Sequence, residues 1–246
     1  MVSGYLYCRI VYMEVIMKHL YLLLMLVITS ISFGQVAPGD GAFTTFHVKA
    51  ENPNEYIDFL KKNSQLLGAQ NPDVAGTCVT RSGNRYMGEM FVWSAYGNME
   101  DAMENANSFD PYSSPRALQK LRTPMYSSFW KPLKPFVLNP GFERVTRVVV
   151  QPEDVQEYVA TMAALETAIK KTNPDFELGV FQSFGGGEHE NTLMVRGLAR
   201  SAGEHGSLVD QFFAGQASWA SLYQKLVAMS ETVSDTYEDC QIIYTK

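Results

Sequence analysis

Apolar and polar positions alternate over residues 43–49, with Thr44, Phe46, Val48 and Ala50 on one face and Phe43, Thr45, His47 and Lys49 on the other. A period of two predicts a half-buried strand. Asn52-Pro53-Asn54-Glu55 follows: an N-cap side chain, a proline at the first helical position, and a glutamate placed for a capping box. Behind it Tyr56, Phe59, Leu60 and Leu67 recur at helical spacing, and Gly68 ends the helix. Asn71-Pro72-Asp73 reads as a turn into a second strand over 74–82. Ser82-Gly83-Asn84 reads as a hairpin connection to a third over 85–95. Short helices over 99–106 and 115–125 come next. A last strand is expected within 126–138, where Pro132 and Pro135 confine it to a sheet edge or make it irregular.

The chain then runs through the same order again. Val145-Thr146-Arg147-Val148-Val149-Val150 is a β-branched run leading to a helix behind Pro152; Asn173-Pro174-Asp175 repeats the turn, and 176–184 repeats the second strand. Glu157-Tyr158 answers to Glu55-Tyr56, and Gln224-Lys225-Leu226 to Gln119-Lys120-Leu121. The later offset is slightly longer, as added loop residues such as the Gly185-Gly186-Gly187 hairpin would produce. Pro152 stands further from Tyr158 than Pro53 does from Tyr56, which predicts an extra helical turn. In this register Arg147 answers to Thr45 and Val149 to His47. Matches in one order make an internal repeat. Each half reads β-α-β-β-α-α-β, near the ferredoxin-like arrangement. Helices should cover one face of each sheet, and the two remaining faces should bury each other.

Composition narrows the function more than it defines it. Of 246 residues 46% are hydrophobic, enough for a substantial core, and the net charge is −6. Without a basic stripe to neutralise phosphates, a nucleic-acid partner is disfavoured, and so is an anionic membrane surface. Met17-Lys18-His19, an apolar core over 20–28 and Ser32-Phe33-Gly34 read as a cleavable signal peptide over 1–34. Met17 is then the natural start and cleavage falls near Gly34. The apolar run is short of the about 20 residues that span a bilayer; a retained N-terminal anchor is the alternative. The expected location is exported, periplasmic or extracellular, with no membrane attachment after cleavage. Cys78 and Cys240 remain, far apart and outside any C-x-x-C, so neither a metal site nor a redox centre is implied.

The repeated strand, proline-started helix, Asn-Pro-Asp turn and hairpin resemble the dimeric α/β-barrel superfamily, which includes antibiotic-biosynthesis monooxygenase-like domains. The resemblance spans 42–244, with repeats at 42–138 and 143–246. It implies an α+β fold in which tandem ferredoxin-like repeats form an intramolecular dimeric α/β barrel, each last strand reaching an edge strand of the other half. Members of the group bind small, often aromatic or polyketide-like molecules between sheet and helices; some oxidise them without metal or flavin, and others bind haem. Fold does not choose among these. The expected function is an exported small-molecule-binding protein without a cofactor. The alternatives are a cofactor-independent monooxygenase-like enzyme acting on an aromatic or enolisable substrate, and a non-catalytic interaction protein.

His47 falls on the strand face expected to look into the barrel, where an imidazole could serve as a general base; a strand histidine satisfied by a neighbour is the plainer alternative. Thr45 shares its face and Arg147 its counterpart strand. Trp93 and Arg196 hold nearly equivalent places on the third strands, one able to stack on a planar ligand, the other to grip a carboxylate or enolate. Arg81 and Glu89 could line the first pocket, although alternation does not choose their faces. His189, between Glu188 and Glu190 after three glycines, reads as a solvated loop, and His205 as an exposed residue opening a helix. In the pseudo-dimer that the resemblance implies, the strands of Cys78 and Cys240 become neighbours, which makes a disulfide between them an expectation.

Overall fold

The computed structural model describes residues 39–246; the expected signal segment, with its export reading, lies outside them. Four strands come from the first half: β1 (Ala42–Ala50), β2 (Val74–Ser82), β3 (Glu89–Tyr96) and β4 (Arg122–Pro132). Between them lie α1 (Pro53–Lys62), α2 (Gln65–Gly68), α3 (Met99–Asn107) and α4 (Arg116–Gln119). The second half supplies β5 (Gly141–Val150), α5 (Val155–Lys170), β6 (Glu177–Phe184), β7 (Leu193–Ala199), α6 (Ala202–Phe213), α7 (Ala220–Ala228) and β8 (Ser230–Thr245).

All eight strands join in one closed antiparallel barrel ordered β1-β3-β2-β8-β5-β7-β6-β4. Within the halves the orders β4-β1-β3-β2 and β8-β5-β7-β6 match strand for strand. Seams close the ring where β8 crosses to β2 and β4 to β6. Closure removes the edge strands that an open sheet would leave exposed. The helices lie outside, over two separate cores. One gathers Val48, Tyr56, Leu60, Val79 and Met90; the other gathers Val148, Tyr158, Leu165, Phe176 and Val195. Inside the ring sits a third population, including Phe91, Trp93, Trp130, Val145 and Phe181.

Local chemistry accounts for most boundaries. Asn52 accepts from the amides of Asn54 and Glu55, which caps α1, but Glu55 Oε1 accepts from the Asn52 side-chain amide and not from its backbone N–H, so the expected box is only half made. The expected single helix to Gly68 is broken, because Asn63 folds its side chain back onto the Phe59 carbonyl and the chain restarts as α2. The hairpin after Ser82 is longer than the sequence suggested. Gly83 and Gly88 both adopt positive φ, and Arg85 lies in the loop, where its main-chain amide and guanidinium grip Glu89. The helix expected over 115–125 stops at Gln119, and β4 starts at Arg122 because Arg122 already pairs with Ala50. Pro124 is accommodated opposite Val48, where the β1–β4 register shifts. The extra turn at Pro152 is present as a 3-10 turn, Pro152–Asp154, running into α5.

Candidate functional site

The barrel interior is where alternation sends Thr45, His47, Trp93, Arg147 and Arg196, and all of them are buried there. The Trp130 indole donates to Thr45 Oγ1 at 3.0 Å. His47 lies nearly parallel to the Tyr126 ring, with centroids 4.1 Å apart, and against Phe91 on its other side. Neither of its ring nitrogens has a hydrogen-bond partner. Burial, and then the nearby Arg147, holds its pKa well below the usual imidazole range, so the ring is neutral. Arg147 spreads over the Trp130 ring at 5.0 Å, and burial depresses its own pKa.

Arg196 is held differently. Its Nε donates to Glu143 at 2.5 Å and its Nη2 to Glu238 at 2.7 Å, and Nη2 also lies 3.4 Å from Cys240 Sγ. Burial works against this charge, and the two carboxylates more than offset it, raising the guanidinium pKa. Glu143 itself is pushed upward by burial. Cys78 and Cys240, opposite each other in the β2–β8 register, are joined as a disulfide.

This interior is tightly filled. The void that touches Trp93, Thr45 and Arg196 is ≈ 50 Å3, well below the ~300–1,000 Å3 of ligand pockets. His47 lines neither that void nor either of the clefts described below. Arg81 is not there at all. Three positions on from inward-facing Cys78, it falls on the outer face, exposed, and pairs with Asp239 at 2.8 Å. The strand register also corrects the expected correspondences. The ladder shifts after His47 on β1 and after Arg147 on β5, so Arg147 is the counterpart of His47, two positions from the match read in the sequence. Trp93, opposite Thr45 and Gly76, does correspond to Arg196, opposite Val145 and Gly179.

Usable space lies outside the ring, between sheet and helices. In the second half a cavity of ≈ 300 Å3 is walled by Val148 and Val195 from the sheet, by Tyr158, Met162 and Leu165 from α5, and by Leu208, Phe212, Trp219 and Tyr223. Trp219 stacks on Phe212, with centroids 5.8 Å apart, and its buried Nε1–H has no acceptor. Arg144, at the rim, is already matched: Asp235 takes two of its donors at 3.0 and 2.7 Å, and Tyr223 Oη a third at 3.2 Å. These bonds, Asp235 foremost, raise its pKa. Burial pushes the Tyr158 phenol up to about 12. The wall is therefore aromatic and uncharged, apart from one neutralised arginine. A larger cleft of ≈ 820 Å3 lies over the first half's sheet, beside α1, α3 and α4.

Two histidines are placed against expectation. His205 is buried, and its Nε2 meets the Gly197 carbonyl at 3.1 Å. Burial lowers its pKa. His189 is also buried: the 3-10 turn Gly187–His189 folds inward, its Nε2 lies 2.8 Å from Tyr126 Oη, and its carbonyl accepts from Ser183 and Thr192. Trp219, Tyr223 and Arg144 escaped the sequence reading because short helices and a strand rim present no motif. Their signal was only the aromatic content of 212–223.

No family model matches the chain, and no curated relative does. Solved structures do. A candidate monooxygenase from Lactobacillus acidophilus superposes with a TM-score of 0.55 at 9% identity, covering 83% of this chain and 95% of its own. An anthrone oxidase-like protein gives 0.53 at 10%, covering 83% and 94%. A candidate monooxygenase from Fusobacterium nucleatum gives 0.52 at 8%, covering 85% and 99%. At such identities the likeness is one of fold: an eight-stranded dimeric α/β barrel.

Proposed function

We propose that this is an exported small-molecule-binding protein, in which two copies of one ferredoxin-like module close on each other as an intramolecular pseudo-dimer. The ligand is a mainly apolar aromatic molecule, seated in the cavity of the second half. One observation carries the reading: a cavity of ≈ 300 Å3, within the range of ligand pockets, is walled by aromatic and aliphatic side chains, and the arginine at its rim, Arg144, is already matched by Asp235. Export is supported by the N-terminal pattern and by the disulfide, a bond that persists in oxidising compartments.

Binding without chemistry is favoured over the oxidase reading. His47, the base suggested by the sequence, faces the barrel interior on β1 in the first half and touches no part of this cavity. A haem does not fit the residues as they stand either. His205 is the cavity's imidazole; its Nε2 is engaged by Gly197 and its Nδ1 is wholly buried, so neither presents an accessible lone pair.

Calorimetric titration of the purified chain with 1,4-naphthoquinone tests the proposal. One-to-one binding is expected, weakened at least about tenfold by Trp219→Ala, which removes one ring of the wall. Leu208→Trp, which fills the cavity, should abolish it. Equal affinity in all three proteins, or no binding at all, would sink the assignment.

A further inference from the structure

The first half's cleft contains a buried arginine whose partners are all neutral. Arg122, the first residue of β4, donates from Nη1 to Tyr56 Oη and from Nη2 to Ser114 Oγ, both at 2.9 Å, and its guanidinium lies 4.6 Å from the centre of the Phe46 ring. Among the described residues no carboxylate lies within ion-pair distance of it. The cleft's own acid, Asp110, accepts instead from the Tyr112 amide. The buried Arg196, by contrast, has two carboxylates, and the rim residue Arg144 has a two-pronged one. Arg147 also lacks a carboxylate, but it lies inside the closed barrel and lines none of the clefts described above.

A guanidinium carries five donors, and here two are used. Taking a full charge out of water is costly without an opposite charge to meet it. Tyr56 and Ser114 hold the fork in place from α1 and the loop before α4, but neutralise nothing. Beside it is room: the ≈ 820 Å3 cleft is within the range of pockets that enclose drug-sized ligands. Its walls include Phe46 and Phe109, packed edge to face at 5.2 Å, so the space next to the charge is aromatic.

We propose that this cleft is a second ligand site, chemically distinct from the first, which binds a planar aromatic carboxylate with its anionic end on Arg122 and its ring against Phe46 and Phe109. Two parallel N–H···O bonds are the usual arginine–carboxylate geometry, and the existing bonds to Tyr56 and Ser114 pre-orient the fork. The site is independent of the neutral ligand assigned to the second half and stands or falls without it.

The test compares 2-naphthoate with its uncharged counterpart 2-naphthamide by calorimetry on the purified chain. The naphthoate is expected to bind one-to-one and at least about tenfold more tightly, the increment of one charge-assisted pair. Arg122→Gln should reduce that preference to less than about threefold, and Leu208→Trp, which fills the other cavity, should leave it intact. Equal affinity for both probes, an unchanged preference in Arg122→Gln, or loss of naphthoate binding in Leu208→Trp would each overturn the proposal. Should Arg122→Gln fail to fold, Phe109→Trp reads the same site: naphthoate must quench the added indole fluorescence at least about tenfold more effectively than naphthamide. Absence of that difference would overturn it equally.

Discussion

On β1 the inward residue before the register shift is His47; at the same point of β5 it is Arg147. One strand over, Trp93 on β3 answers to Arg196 on β7. At these two paired positions the first half presents rings and the second charge. Outside the ring the contrast reverses. Arg144, beside the second half's cavity, is matched by Asp235, whereas Arg122, in the first half's cleft, meets only neutral hydroxyls. Matching strand orders therefore fix where side chains stand without fixing what they do. Where a half keeps its cation matched, the cleft is suited to an uncharged guest; where it does not, an anion is called for.

The inner contrast breaks most sharply at Arg196. Arg196→Met removes the cation and leaves Glu143 and Glu238 buried together, a change expected to cost about 3–5 kcal/mol in urea unfolding at neutral pH. Its pH dependence follows from Glu143, whose folded pKa is already pushed up by burial and rises further once Arg196 is gone. A carboxyl with a raised folded pKa binds more protons folded than unfolded, so the variant should regain stability as pH falls toward that pKa and lose it as pH rises. A pH-independent loss would show that the carboxylates are not the cause.

The two seams offer the next test. β2–β8 is cross-linked by Cys78–Cys240 across 162 residues of chain, while β4–β6 has four residue pairs and no cross-link. The double change Cys78→Ala with Cys240→Ala should lower stability by about 2–4 kcal/mol, measured as a shift in urea midpoint. A shift no larger than that caused by either alanine alone under reducing conditions would mean that the strand ladder, not the bond, holds that seam.

His47 should behave in the opposite sense to Arg196. It is buried, neutral and without hydrogen bonds, so His47→Leu is expected to be neutral or to stabilise by up to about 2 kcal/mol. Its folded pKa is depressed, so the unfolded chain binds the extra proton, and stability falls as pH drops below the unfolded imidazole value of about 6.5. His205, also depressed by burial, adds in the same direction. His47→Leu should flatten that acid limb in thermal melts between pH 7 and 5; an unchanged slope would assign the limb to His205 instead.

These contrasts were unevenly legible in the sequence. Period-two alternation placed Thr45 and His47 on one strand face, and the resemblance to dimeric α/β barrels foretold the closed ring. The register was missed by two positions because it was carried back from the helices and turns, and the extra turn Pro152–Asp154 sets these further from the strand in the second half than in the first. Arg81 was misassigned for want of a fixed face, and His189 and His205 because loop glycines suggest exposure while tertiary packing decides it. Trp219 and Arg122, on which the two proposed sites turn, stand where a short helix and a strand begin. Nothing local marks such residues, since their chemistry comes from what the fold brings beside them.

The smallest difference between the halves lies where each first helix begins. α1 starts on Asn52, whose side chain takes two amides and meets Glu55, whereas α5 is led in by the turn Pro152–Asp154, with no side-chain cap. A proline-fixed turn already holds its backbone in helical geometry, so Asp154 satisfies nothing that water does not. Asn52→Ala should accordingly cost about 1 kcal/mol and Asp154→Ala less than about 0.5 kcal/mol in matched urea titrations. Equal losses would mean that Asp154 stabilises α5 through its charge at the helix N-terminus, which high salt would then screen away while leaving the effect of Asn52→Ala in place.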